Sequence, residues 1–138
     1  MGPRVHWRAT LMSITSIPNA FSTCEYGAGA ANAAVTITLA AVPNMRHAIT
    51  CVQLYRSATA ALTGTASLTI TTTNLPDSFS WVVGNLMVAG GTQIDVDTVF
   101  VPPLLSSVAN TATTIVMPAP GLNVLWNGRV FYYLVPEL

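Results

Sequence analysis

Apolar and hydroxyl side chains alternate along most of this chain. In "AVTITLAAV" (34–42), Val35, Ile37 and Leu39 share one face of an extended strand and Thr36 and Thr38 the other, because strand side chains repeat every two residues. "TASLTITTTN" (65–74) repeats the device, with Leu68 and Ile70 against Thr69 and Thr71. "PNMRHAITCVQLYRS" (43–57) also reads as a strand, with His47, Ile49, Cys51, Gln53 and Tyr55 on one side and Arg46, Ala48, Thr50, Val52, Leu54 and Arg56 on the other. Strand composition marks "ATLMSITSI", "SWVVGNLMV", "QIDVDTVFV", "ATTIVM", "LNVLW" and "RVFYYLV" as well. Turn residues separate these runs in "GAGAAN", "AVPN", "TGT", "NLPDS", "AGGT", "VPP" and "PAPG". About nine strands spaced roughly 8–12 residues apart predict an all-β sandwich or barrel.

The most specific local expectation is a hairpin. In "LNVLWNGRVFYYLV", Asn127-Gly128 sits between two apolar runs, the sequence form of a two-residue type I′ turn, which sets Trp126 opposite Arg129 and Val124 opposite Phe131. "AGAANAA" and "PPLLSSVANT" are the nearest approaches to helix, and both read as loop. The organisation expected is an N-terminal arm over residues 1–9 and a single antiparallel β-sandwich domain over 10–138.

Composition changes what such a domain is for. Only 7% of the 138 residues are charged and 51% are hydrophobic, with zero formal net charge, which favours association over life as a lone monomer. All five basic residues are arginine, the cation best suited to interfaces. Five arginines balanced by five acids make no polyanion-binding field, so nucleic-acid binding is not expected. The opening "MGPRVHWRATLMSITSI" lacks the apolar core of a signal peptide, so synthesis in the cytoplasm is expected. Thr, Asn, Pro and Gly interrupt every apolar stretch, and no membrane span is expected. Cys24 and Cys51 are expected as buried free thiols.

Candidate chemistry is sparse. Asp95 and Asp97 in "QIDVDTVF" fall on one side of a strand, where two carboxylates suit a cation or an acid–base pair; the simpler reading is edge-strand acids that meet an arginine such as Arg56 or Arg46 of a neighbour. His47 and Cys51 lie four residues apart on one strand face, about 13 Å at strand rise, too far for proton transfer. No residues stand at zinc-ligand spacing and no phosphate-loop or nucleophile-elbow motif occurs, so neither a metal, nor a cofactor, nor catalysis is expected. Trp81, Trp126, Tyr132 and Tyr133 suit either a sugar-stacking platform or core and interface anchors. "MGPRVHWR" places Arg4, Trp7 and Arg8 in the arm. With Arg46, Arg56, Trp126, Arg129 and Tyr132, these are the candidate interface residues.

Taken in order, "AVTITLAAV", "PNMRHAITCVQL", "RSATAALTGTASLTI" and "VMPAPGLNVLWNGRVFYYLV" resemble small tailed-phage virion proteins with a jelly-roll-like β-sandwich, among them capsid decoration or cement proteins. The resemblance covers residues 34–138 and rests on pattern and composition; the Arg/Trp arm has no counterpart in it. It implies a homotrimer on the capsid surface that ties major capsid protein subunits together without catalysis or cofactor. A glycan- or receptor-binding module of a phage tail or head fibre is the alternative, with Trp81 and Trp126 as its stacking residues.

Overall fold

The computed structural model describes residues 22–64 and 66–138. The arm, with Arg4, Trp7 and Arg8, and the strand expected at 9–17 lie outside the described residues. What is described is a two-sheet, antiparallel, all-β arrangement, as the alternation predicts. Its strands are β1 (Thr23–Ala28), β2 (Val35–Leu39), β3 (Met45–Ala58), β4 (Leu62–Thr63), β5 (Leu68–Thr73), β6 (Trp81–Val83), β7 (Leu86–Met87), β8 (Thr92–Leu105), β9 (Thr113–Met117) and β10 (Val124–Pro136). One sheet, the long-strand sheet, has the order β1-β10-β3-β8; the other, the threonine sheet, runs β2-β9-β5-β6; β4 and β7 form a small ribbon of their own.

The pairing has one rule. β1 pairs with β10, β2 with β9, β3 with β8, β4 with β7 and β5 with β6, so the chain forms a single long antiparallel ribbon, doubled back at Pro76–Ser78 and rolled up. Rolling brings β10 against β3 in one sheet and β9 against β5 in the other. The core lies between the sheets. Val35, Ile37, Leu39, Ile70, Ile115 and Met117 face Ile49, Val52, Leu54, Val96, Trp126 and Val130. Each such side chain contributes roughly 1.5–3 kcal/mol on burial, which is why the alternating runs at 34–42, 65–74 and 112–117 settle as read.

The hairpin expected at Asn127-Gly128 does not form. Both residues lie inside β10, with Gly128 opposite Gly27 of β1 on one side and Leu54 of β3 on the other. Neither has the positive φ that a type I′ turn requires. The glycine answers to packing instead: a Cβ at Gly128 would stand 2.6 Å from Leu54 Cδ2 and 2.9 Å from Ile37 Cδ1. A Cβ at Gly27 would meet Ile37 Cγ1 at 2.7 Å, so the glycine pair opens a slot for a side chain from the facing sheet.

Other boundaries move for local reasons. Gly27 and Ala28, placed in a loop by composition, belong to β1, and "VPP" lies within β8. "SWVVGNLMV" divides into β6 and β7 at Gly84-Asn85. Most consequential are two one-residue bulges. Ile49 pairs with Tyr132 while Cys51 pairs with Phe131, leaving Thr50 without an opposite residue; Leu54 pairs with Val96 while Tyr55 pairs with Ile94, leaving Asp95 extra. A bulge reverses which face follows it. His47 and Ile49 therefore point inward, and so do Val52, Leu54 and Arg56 beyond the bulge, while Cys51, Gln53 and Tyr55 do not.

Candidate functional site

The bulge at Asp95 turns its carboxylate into the sandwich. There Arg56 Nε donates to Oδ2 at 2.7 Å and Nη2 to Oδ1 at 2.7 Å, a two-pronged ion pair whose side chains are both 0% exposed. Nη2 also donates to Gly84 O, and Gln93 Nε2 to Asp95 Oδ1. The guanidinium lies over the Trp126 ring, 5.2 Å from its centroid, and the indole Nε1 donates to Pro118 O at 2.6 Å. Arg56 and Trp126, expected at an interface, are enclosed by their own chain and anchor its interior. The bulge also separates the two acids: Asp97 stays on the outer face, exposed, where Gln53 Nε2 reaches it at 3.4 Å. Asp95 and Asp97 do not form a carboxylate pair, and the arginine that Asp95 meets belongs to the same molecule.

His47 is buried beneath the edge of Tyr132, with ring centroids 5.5 Å apart. Its Nε2 faces the carbonyl of Ala40 at 2.9 Å, an atom that only accepts, so Nε2 carries the proton; Nδ1 meets the Thr113 hydroxyl at 2.8 Å. Cys51 lies on the other face, so the pair fails through the bulge at Thr50 rather than through the spacing along one face. Cys24 is exposed and Cys51 half-buried, and both are free thiols, not the buried ones expected. They flank Phe131 two strand spacings apart, about 9.5 Å, beyond the roughly 4.4–6.8 Å between Cα atoms that a disulfide spans. Burial and the charge of Asp97 push the Cys51 thiol pKa up, which makes it a poor nucleophile.

The remaining candidates divide. Arg46 is half-buried and held by Glu137 of the same chain, through Nε to Oε2 and Nη2 to Oε1. Tyr132 is buried, and Arg129 is exposed on β10. Trp81 is half-buried and packs edge-on against Phe79 at 4.9 Å.

What the long-strand sheet presents outward is an ordered grid. One row is Cys24, Phe131, Cys51 and Val99; the next is Tyr26, Arg129, Gln53 and Asp97; the third is Ala28, Asn127, Tyr55 and Ile94. A polar row thus runs between two largely apolar ones. Tyr26 donates from its hydroxyl to Asn127 Oδ1 at 2.6 Å, and a cavity of about 140 Å³ lies among Gln53, Leu54, Tyr55, Ile94 and Asp97. Sequence reading passed over Tyr26, Tyr55 and Ile94, since only the register across strands brings them together. The threonine sheet presents Thr36, Thr38, Thr69, Thr71, Thr73 and Thr114 outward with Val82 and Val116, and no charge.

Among the described residues, no three His, Cys, Asp or Glu side chains converge as metal ligands. No family model, curated protein or solved structure matches the chain. What the described residues present outward is two broad sheet faces with few charges, around a packed interior.

Proposed function

We propose that the chain is a non-enzymatic structural subunit of a phage virion, a decoration or cement protein that binds the assembled head as a homotrimer and stabilises it. The observation that carries this reading is the strand order. With the β4–β7 ribbon set aside, eight strands pair first with last and inward, and roll into sheets of four, which supports reading the sandwich as jelly-roll-like, an architecture common in viral capsid proteins. Two nearly uncharged faces on a charge-poor chain suit a molecule covered on more than one side. Such a subunit is made in the host cytoplasm and resides on the capsid surface against the major capsid protein. Binding only the assembled shell stabilises it by mass action, and many symmetric copies multiply a modest contact energy.

The test is addition of purified protein to heads that lack it, followed by heating and by transfer to low salt. The expected result is saturable addition and a raised temperature of head disruption. Heads that take up none, or that gain no resistance, would sink the proposal. A second reading, glycan binding, is favoured by the cavity beside Tyr55 with Asp97 and Gln53 at its rim, and not by Trp126, which is buried. Glycan-array binding that Tyr55→Ala abolishes is its signature.

A further inference from the structure

The outer face of the long-strand sheet is self-complementary. Its middle row, between the bulges at Thr50 and Asp95, reads Tyr26, Arg129, Gln53 and Asp97 across β1, β10, β3 and β8. Arg129 and Asp97 are exposed and stand on either side of Gln53, each one strand spacing of about 4.8 Å from it. Neither has an ion-pair partner among the described residues: Arg46 takes Glu137, Arg56 takes Asp95, and Asp97 accepts a 3.4 Å hydrogen bond from Gln53. Residues 1–21 and Thr65 include no acid, so Arg129 finds none there. The rows on either side are largely apolar on the same three strands, with Phe131, Cys51 and Val99 in one and Tyr55 and Ile94 in the other. Val99 and Ile94 are 68% and 70% exposed.

We infer that this face binds the same face of a second copy about a two-fold axis running along β3 through Gln53. Such a rotation exchanges the strands flanking β3 and keeps each row in register. Arg129 of each copy then meets Asp97 of the other, Gln53 meets Gln53, Phe131 meets Val99, and Cys51 and Tyr55 meet their own counterparts. Asn127, already bonded to the Tyr26 hydroxyl, lies over Ile94. Charge selects this axis over the other two-fold packing of the same face. An axis along the row would set Arg129 on Arg129 and Asp97 on Asp97, which is repulsive. A second observation agrees: the cavity of about 140 Å³ among Gln53, Leu54, Tyr55, Ile94 and Asp97 lies between β3 and β8, where the second copy's Arg129 arrives. With one water taking roughly 30 Å³, the cavity has room for a guanidinium beside the Asp97 carboxylate. Packed sheets stand about 10 Å apart, a gap that an arginine and an aspartate side chain close together. Three strands overlap and β1 overhangs, so the patch falls short of the roughly 800 Å² per partner of a stable complex, and the dimer is weak. The inference does not rest on the proposed function; it leaves the threonine sheet free for a shell, and a trimer formed there through other surfaces is unaffected.

Charge reversal in the full-length protein tests it. At low salt and hundreds of micromolar the parent is expected to sediment at twice the 14.5 kDa chain mass, and at the chain mass on dilution. Arg129→Asp sets acid against acid at both contacts, and Asp97→Arg sets arginine against arginine, so each variant alone should dimerise more than about tenfold more weakly. An equimolar mixture of the two should regain the dimer, because every facing pair then has opposite signs. Both positions are exposed, and thermal melting of each variant should match the parent. Alkylation by iodoacetamide gives a second readout. Cys51, at the axis, should react several-fold more slowly as the parent dimerises, while Cys24, on the overhanging β1, keeps its rate. A parent that does not dimerise, single variants that associate as the parent does, a mixture that stays monomeric, or Cys51 alkylation indifferent to protein concentration would each overturn the inference.

Discussion

Arg56 shows how one residue is decided by magnitudes. A guanidinium with 0% exposure is tolerable because Asp95 meets it with two charge-assisted hydrogen bonds, Gly84 O accepts a third and Trp126 offers its ring face. Removing one partner strands the other charge in the core, so Arg56→Ala or Asp95→Ala should each cost about 3–5 kcal/mol in chemical denaturation. The double variant Arg56→Met/Asp95→Leu should recover most of that loss, because Nη1 has no hydrogen-bond partner and replacing both ions leaves none. A double variant as unstable as the singles would contradict this account. Arg46–Glu137 is the opposite case, a pair partly open to solvent. Arg46 holds the Glu137 carboxyl below the ordinary glutamate range, so the stability it contributes is present above that ordinary pKa and is lost as pH falls through the lowered one. Glu137→Gln should therefore lower Tm slightly at pH 7 in low salt, with the difference vanishing in strong acid or at high salt. In the sequence both arginines read as interface residues; only the register, which puts the bulged Asp95 beside one and Glu137 beside the other, tells them apart.

Strands were legible where a single face decides them and illegible where two strands must be known at once. β2, β5 and β9 follow from alternation, because one buried side each settles the phase. β1 was lost because Glu25, Gly27 and an exposed pattern give no burial signal of their own. β3 was found, but its faces were misassigned beyond Thr50, since a bulge is a property of the ladder rather than of the strand. The two runs on either side of Asn127-Gly128 were found but split in error, because the absence of a Cβ serves a turn and a tight sheet contact equally well. The packing account has a direct test. Gly128→Ala places a methyl against Leu54 and Ile37 and should destabilise by about 1–3 kcal/mol, read from the shift in denaturant midpoint. Ile37→Val on that background should return part of the loss by removing the Cδ1 atom 2.9 Å away. If Gly128→Ala is neutral, the slot is not what holds glycine there.

At the scale of the whole molecule, the rolled ribbon joins the earliest described strand to the last, so β1·β10 and β2·β9 close only after most of the chain is in place. Such non-local pairing places refolding in roughly the millisecond-to-second range rather than microseconds. Among the described residues the outer grids of the two sheets carry little charge. Across the threonine grid there is none, and across the three rows of the long-strand sheet Arg129 and Asp97 are the charged members. A surface of this kind adheres through shape, apolar area and hydroxyl hydrogen bonds, with little for counterions to screen. Exposed ion pairs and phosphate contacts, by contrast, weaken steeply once the Debye length falls to about 3 Å at 1 M salt. On the proposed role, addition of the protein to heads should therefore be nearly indifferent to ionic strength, with an apparent Kd changing less than several-fold between 50 mM and 1 M salt. Replacing Thr36 and Thr71 by arginine on one face, or Val99 on the other, should reveal which face meets the shell, since a buried unpaired charge costs several kcal/mol where a solvated one costs almost nothing. A steep salt dependence, or equal tolerance of charge on both faces, would contradict an uncharged docking surface.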